Sequence, residues 1–240
     1  MPKFSVIVGL YNQSATLPAL IDSLNRQSSQ DFDVHFCDDG SDDINVLKML
    51  ESYDTDHLKF KWYYHRQEHK GMRLAKNLNQ GIRAAKGEYC VLVMADSILE
   101  LDYLERLTEW AAPDRIVCGI RIQIAMINGK LEGVDIDWRM KKQAIPEMAS
   151  VIIDSPWLAL TGNGLTIPTE AFRMYGPLSE ELEGYGGEDN DIVARLYYQG
   201  YLCWSVPELR LYHMWHISKD SLPENARIVH EKIQSYARAR

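Results

Sequence analysis

Residues 184–191 read Gly-Tyr-Gly-Gly-Glu-Asp-Asn-Asp, a glycine-rich turn that carries Glu188, Asp189 and Asp191 into a segment with Ile192, Val193 and Leu196 on one apolar face. Gly184, Gly186 and Gly187 lack a Cβ, so the backbone can turn tightly and approach a ligand closely. Carboxylates at the start of a helix sit in the favourable end of its dipole, and one held in place can accept a proton from an attacking hydroxyl. An ordinary helix cap shows the same acidic first turn. A cap needs one carboxylate, and this turn has three.

Three other segments carry ionisable side chains at the ends of apolar runs. Cys37-Asp38-Asp39-Gly40-Ser41-Asp42-Asp43 follows one, Ala95-Asp96-Ser97 follows Val91-Leu92-Val93-Met94, and Tyr212-His213-Met214-Trp215-His216 lies near the C-terminus. Asp-Gly-Ser is also common turn chemistry, so the first segment alone supports either reading. Two Asp-bearing loops after two strands of one sheet converge on one crevice, where carboxylates can accept hydrogen bonds from a uracil N3–H or from ribose hydroxyls. A histidine with a carboxylate is a ligand pair for Mn²⁺ or another divalent ion. His213, ending a predicted strand, is the favoured ligand, and His216 is a second ligand, a diphosphate contact or a surface residue.

The elements that must position these residues alternate through the first half. Strand signals at Phe4–Leu10, Phe32–Cys37, Leu58–Tyr64 and Glu88–Met94 are separated by helical periodicity. Leu17, Leu20, Ile21 and Leu24 mark the first helix, with Ser14 as its expected cap; Ile44–Tyr53 is the second and Met72–Lys86 the third, closed by Gly87 as a left-handed cap. Leu101, Leu104 and Leu107 mark the fourth. Such alternation predicts an α/β, Rossmann-like nucleotide-binding fold with a mostly parallel sheet, helices on both faces and ligands at the carboxyl ends of the strands.

After Arg115 the rhythm changes. Ile120–Ile127 and Lys130–Ile136 flank Asn128-Gly129, a strong hairpin signal, which predicts a smaller mixed β region. Residues 138–160 contain Pro146 and Pro156 without a clean period and read as an irregular excursion over a binding face. A short helix at Thr169–Tyr175, the helix opened by the acidic turn and closed by Gly200, strands at Tyr201–Val206 and Leu209–Tyr212, and a terminal helix from Pro223 complete the chain. We expect a single domain, with residues 1–112 as a nucleotide-binding half, 113–217 as a second half completing the binding face, and 218–240 as the C-terminal helix.

Bulk composition narrows the function classes. With 240 residues, 46% apolar and 25% charged, the chain can bury a large core. A net charge of −8, from 34 acidic against 26 basic residues, opposes a large footprint on duplex nucleic acid. Cys37, Cys90, Cys118 and Cys203 lie in apolar runs without Cys-x-x-Cys pairing, as expected of reduced thiols in a cytoplasmic-type compartment. The chain enters a strand directly, and no window approaches the roughly 18 apolar residues of a spanning helix. We therefore expect no membrane anchor.

Taken together, Val6-Ile7-Val8-Gly9-Leu10-Tyr11-Asn12, Asp38-Asp39-Gly40-Ser41 and Gly184-Tyr185-Gly186-Gly187-Glu188-Asp189 resemble the family 2 glycosyltransferases of GT-A fold with a galactosyltransferase-like C-terminal half. The last segment resembles that half's Trp-Gly-Gly-Glu-Asp signature, with Tyr185 in the Trp position. The resemblance implies that Asp38 and Asp39 serve the uridine, and that Tyr11, Asn12, Arg73 and Gly187 join them in binding the donor. It also implies that Asp96 is the second carboxylate of an Asp-x-Asp metal motif completed by His213, and that Asp189 is the catalytic base. Trp157, Asn163, Tyr185 and Gly186 would line the donor-sugar and acceptor pocket, and Glu188 would bind sugar hydroxyls. His69 and Lys70 accompany Arg73 near the expected diphosphate.

The sequence departs from the pattern twice, because Met94 stands at the first motif Asp and Gly9-Leu10 replaces Pro-Thr. The implied cofactors are Mn²⁺ or Mg²⁺ with a UDP-sugar donor, UDP-galactose or UDP-N-acetylgalactosamine ahead of UDP-glucose. The implied acceptor is a hydroxyl of a glycan, lipid-linked glycan, protein or modified nucleobase. The alternatives are a non-catalytic nucleotide-sugar or glycan-binding module, and a sugar nucleotidyltransferase. The latter normally has Arg or Lys in the loop after the first strand, which Gly9–Ser14 lacks.

Overall fold

A computed structural model describes residues 1–43, 45–53, 57–127, 130–136, 150–151, 155–160, 162–214 and 222–239. Chain order runs β1 (Phe4–Leu10), α1 (Leu17–Asn25), β2 (Phe32–Asp38), α2 (Val46–Ser52), β3 (Lys61–Arg66), α3 (Leu74–Ala84), β4 (Tyr89–Met94), β5 (Ser97–Leu99), α4 (Tyr103–Trp110) and β6 (Arg115–Ile127). It continues with β7 (Lys130–Ile136), β8 (Ser150–Val151), a 3₁₀ turn (Pro156–Leu158), β9 (Leu165–Pro168), α5 (Thr169–Tyr175), α6 (Glu188–Tyr198), β10 (Leu202–Met214) and α7 (Pro223–Ala239).

Ten strands form one sheet in the order β3-β2-β1-β4-β9-β6-β10-β5, with β7 added to β6 and β8 to β10. β1 lies parallel between β2 and β4, with Leu10 beside Asp38 and Gly9 beside Met94, so the loops bearing Tyr11, Asp39 and Asp96 leave the same edge. β9 inserts antiparallel between β4 and β6, and β6 and β10 run parallel to each other. The mostly parallel α/β reading therefore holds, and the hairpin signal accounts for β6 and β7, while the antiparallel strands β5 and β9 lie outside it. β6 and β7 pair antiparallel up to Ile127 and Lys130, while Asn128 and Gly129 lie outside the described residues.

The β1 side chains alternate between two cores. Val6, Val8 and Leu10 pack with Leu20 and Leu24 of α1, Leu50 of α2 and Leu104 of α4, whereas Ile7 faces Leu78 of α3 together with Phe172 of α5 and Ile192 of α6. A strand buried on both faces needs a continuous apolar run, as Phe4–Leu10 supplies. All four cysteines are buried thiols. Burial pushes Cys37, Cys90 and Cys203 up to about 12, so they stay protonated and serve as core.

Several boundaries differ from the periodicity. α1 begins after Thr16 with Pro18 in its first turn, and Ser14 instead donates its N–H to Asp43 Oδ2 at 3.0 Å. Leu101 precedes α4 and is 62% exposed, and β3 begins at Lys61 rather than Leu58. The expected strands at Tyr201–Val206 and Leu209–Tyr212 are one strand, whose register on β6 shifts between Val206 and Arg210, accommodating Pro207 inside it. α3 ends at Ala84 with Ala85 extended, so Gly87 is no left-handed cap. Its lack of a side chain serves packing, because a Cβ there would lie 2.5 Å from the Ser5 backbone nitrogen.

Gly87→Ala must push β1 away from β4. We expect a loss of about 3 kcal/mol by overpacking, read as a melting temperature lower by roughly 6–12 °C. An unchanged melting temperature would show that the strands can part at no cost.

Candidate functional site

The first cluster is built by the loops after β1, β2 and β3. Asp38 is fully buried; its Oδ1 accepts the Ser41 N–H at 2.8 Å, and its Oδ2 accepts Tyr64 Oη at 2.7 Å and Arg66 Nη1 at 3.0 Å. Burial raises the Tyr64 phenol, with Asp38 adding to the shift, so Tyr64 remains a donor. Asp38 thus shapes the loop, and Asp39 is the next carboxylate along it. Asp39 Oδ1 accepts Gln67 Nε2, and its Oδ2 lies 3.0 Å from His69 Nδ1. His69 in turn stacks on Tyr11, with ring centroids 4.0 Å apart and planes 7° from parallel.

Asn12 joins the β1 and β2 loops. At φ +50 it donates its N–H to Ser41 Oγ at 2.9 Å and accepts the Asp42 N–H on Oδ1 at 2.9 Å, a left-handed conformation that Asn tolerates better than most residues. Lys70 turns away to pair with exposed Glu68. Arg73 bonds the Glu68 carbonyl through Nη2, while its buried Nε has no partner among the described residues. A guanidinium with unused donors suits phosphate oxygens.

The second cluster joins the turn after β4 to the end of β10. β5 pairs antiparallel with β10, His213 opposite Ser97, and the Met214 N–H donates to the Asp96 carbonyl at 2.9 Å. This register places His213 Nε2 3.3 Å from Asp96 Oδ2. Across the parallel β6–β10 ladder, Gln123 Oε1 lies 2.8 Å from His213 Nδ1. Asn163 supports the turn from below: its Oδ1 accepts the Met94 N–H at 3.2 Å, and its Nδ2 donates to Ser97 Oγ at 2.8 Å. Asn163 is only 3% exposed, so it braces the site rather than lining an open pocket. Met94, in the place of the first motif acid, packs among the apolar side chains of the α3 face.

The third cluster is the glycine-rich turn. Gly184 bridges Arg73, and its N–H donates to the Met72 carbonyl at 2.8 Å, which docks the turn on the loop after β3. Gly187 caps α6 at φ +106, where a Cβ would also press on Val229 of α7 at 3.0 Å. Asp189 is 7% exposed; its Oδ2 accepts the Gly162 N–H at 3.0 Å and its Oδ1 the Asn190 N–H at 2.8 Å. Glu188 is partly exposed beside it.

The third acid of the octet has a different task. Asp191 is fully buried; its Oδ2 takes Arg195 Nη2 at 2.6 Å and Ser179 Oγ at 2.7 Å, and its Oδ1 takes Tyr236 Oη from α7 at 2.7 Å. Burial first, and then this carboxylate, raise the Tyr236 phenol and keep it a donor.

Trp157 stacks on Tyr198 of α6 at 5.7 Å, and its carbonyl accepts Asn190 Nδ2. It borders a cavity of about 260 Å³ with Gly186, Gly187 and Val229. The Tyr185 carbonyl accepts the Leu222 N–H at 3.1 Å. Trp215 and His216 lie outside the described residues, as do Trp138 and Thr161.

Sequence reasoning missed Gln67, Gln123 and Tyr236. Only strand register brings Gln123 to His213, and an isolated Gln carries no signal. Gln67 sits one residue past β3, as Asp39 sits one past β2, and that regularity alone could have suggested it.

The family described as Glycosyl transferase family 2 matches residues 5–154, more than half of the chain. Validoxylamine A glucosyltransferase of Streptomyces hygroscopicus subsp. jinggangensis (strain 5008) is 26% identical over 226 residues, covering 83% of this chain and 52% of that protein. Chondroitin synthase of Escherichia coli is 25% identical over 252 residues, covering 92% of this chain and 36% of that protein. The chain thus spans about half the length, or less, of these relatives.

Two solved structures share the fold. S. aureus TarS 1–349 in complex with UDP-GlcNAc superposes with a TM-score of 0.74 at 19% identity, covering 96% of this chain and 66% of that one. GalNAc-T7 with UDP, GalNAc and Mn²⁺ gives 0.73 at 18%, covering 96% and 48%. No described helix is long and apolar enough to cross a membrane. The matched family and the shared architecture lead to one assignment: the chain belongs to glycosyl transferase family 2 and has the GT-A fold.

Proposed function

We propose that this chain is a metal-dependent, inverting glycosyltransferase that moves a hexose from a UDP-sugar to an acceptor hydroxyl, with Asp189 as general base. The observation that carries the reading is a short chain of contacts. Asp189 holds the Gly162 N–H, the adjacent Asn163 braces the turn bearing Asp96, and Asp96 faces His213. A proton acceptor and an ion-binding pair are thus tied to one rigid frame, and reactions that gain from orientation draw about 7–11 kcal/mol from it.

Among the described residues no group of three or more His, Cys, Asp or Glu side chains could hold a metal. Asp96 and His213 supply one oxygen and one nitrogen donor, a set that fits Mn²⁺ with its remaining positions left to diphosphate oxygens and water. When bound, such an ion offsets the negative charge that develops on the departing UDP. Arg73, placed by its bridge to Gly184, adds guanidinium donors on the diphosphate side.

Asp39 is the candidate for the uridine, and the Tyr11–His69 stack offers an aromatic face for the base. Asp38 acts on the uridine through the loop it shapes. Glu188 accepts sugar hydroxyl hydrogen bonds, and Trp157, Tyr185 and Gly186 border the sugar and acceptor space. The galactosyltransferase-like turn favours UDP-galactose or UDP-N-acetylgalactosamine, with UDP-glucose next. GalNAc-T7, which shares the fold, was solved with UDP, GalNAc and Mn²⁺.

The test is a thermal-shift screen of UDP-sugars with and without Mn²⁺. A cognate donor at about 100 times its Kd stabilises by about 2.7 kcal/mol, or roughly 5–10 °C here, and the shift should shrink with EDTA. No shift with any donor would overturn the reading. Binding without turnover or donor hydrolysis would instead favour a non-catalytic module, which Met94 in the motif acid's place also suits.

A further inference from the structure

The geometry points to Gln123 as a positioning residue that holds the proton of His213 on Nδ1 and so presents Nε2 to an ion shared with Asp96. This rests on the metal reading above and adds a residue to it.

A neutral imidazole carries one N–H and one lone pair, and only the nitrogen with the lone pair binds a metal. His213 has an oxygen at each side: Gln123 Oε1 at 2.8 Å from Nδ1, and Asp96 Oδ2 at 3.3 Å from Nε2. An oxygen facing a ring nitrogen at such a distance needs a hydrogen or a cation between them. Gln123 accepts a hydrogen at Nδ1, so the position toward Asp96 is the one a cation can take by displacing a proton.

The opposite arrangement, with the Gln123 amide reversed to donate into Nδ1, would put the hydrogen on Nε2 and close the pair to metal. What makes Gln123 a fixed partner is register, not chance proximity. His213 and Gln123 are paired positions on parallel β10 and β6, and the Met214 N–H bond to the Asp96 carbonyl holds the other side. Metal-bound histidines commonly have their second nitrogen anchored in this way, and losing the anchor weakens the metal about 10–100-fold.

Two variants separate the cases. Gln123→Leu removes the acceptor at similar size, and Gln123→Glu keeps an acceptor that cannot reverse. Mn²⁺ affinity in saturating UDP, followed by the electron paramagnetic resonance of free Mn²⁺, should fall about 10–100-fold for Gln123→Leu and less than about 3-fold for Gln123→Glu. In the Mg²⁺- and UDP-saturated wild type, ¹⁵N spectra should show neutral His213 with its hydrogen on Nδ1.

Wild-type and Gln123→Leu affinities agreeing within about 2-fold would overturn the positioning role while leaving the metal reading intact, whereas a hydrogen found on Nε2 would overturn the role and remove His213 as a ligand with it. Equal losses in the Leu and Glu variants, with circular dichroism unchanged, would also overturn it, since an acceptor would then not suffice. A wild type that binds no Mn²⁺ even with UDP would instead remove the metal reading, and this inference with it.

Discussion

Asp189→Asn is expected to lower kcat for sugar transfer by about 10²–10⁴-fold, the range that a positioned general base contributes, while UDP and Mn²⁺ still bind. The substitution is informative because it separates chemistry from scaffolding. Asn is nearly the same size, and its side-chain oxygen can still accept the Gly162 N–H that Asp189 Oδ2 takes at 3.0 Å, at the cost of the Asn190 N–H bond that Oδ1 accepts at 2.8 Å. The loop carrying Asn163 therefore stays in place, and with it the brace under Asp96.

Asp189→Ala loses both the proton acceptor and that hydrogen bond, so it should impair metal binding as well. Steady-state kinetics, with UDP affinity measured alongside, distinguish the two. A rate within about 10-fold of wild type for the Asn variant would sink the general-base assignment, since such a base supplies at least about 10²-fold. Product NMR gives a second check: one displacement from the face opposite the leaving group inverts the anomeric centre, and retention would exclude it.

Asp191→Ala should be the most destabilising single change in the octet, yet should act through the fold. Asp191 is fully buried and Arg195 is 14% exposed, so removing the carboxylate leaves a guanidinium enclosed without its counter-charge. Breaking such a pair costs about 3–5 kcal/mol, a melting temperature lower by roughly 6–20 °C. Arg195 would keep its bonds to the carbonyls of Tyr175, Gly176 and Pro177, which limits the loss.

Tyr236→Phe removes only the hydroxyl that α7 lends to Asp191, and should cost about 1 kcal/mol. Because Tyr236 ties α7 to the start of α6, early loosening of α7 in both variants, seen by hydrogen exchange, would link this pair to the glycine-rich turn. An Asp191→Ala protein as stable as wild type would mean the Arg195 charge is solvated in place.

The chemistry-bearing residues were legible because they lie in local patterns. Asp39 and Asp96 follow apolar strands, and parallel strands deliver their next residues to one edge, so convergence followed from alternation alone. The acidic helix start was equally plain. Its three carboxylates looked alike, however, and only packing separates them: Asp189 faces the Gly162 loop, while Asp191, two residues on, faces Arg195 and α7. Asp38 and Asp39 divide likewise, since successive residues at a strand end point to opposite sides. β5 and β9, of three and four residues, are too short to show a period, yet β5 pairs with the strand that carries His213.

The amino-acid order by itself therefore determined the layered α/β architecture and which segments bear reactive groups, because hydrophobic period and turn chemistry act between near neighbours. Only the tertiary structure decided which partner each carboxylate faces, which imidazole nitrogen lies against Gln123, and which acid is core. Those outcomes depend on register between β6 and β10 and on burial by distant helices, where hydrogen-bond partners lie some 90 positions apart in the chain, as Gln123 and His213 do.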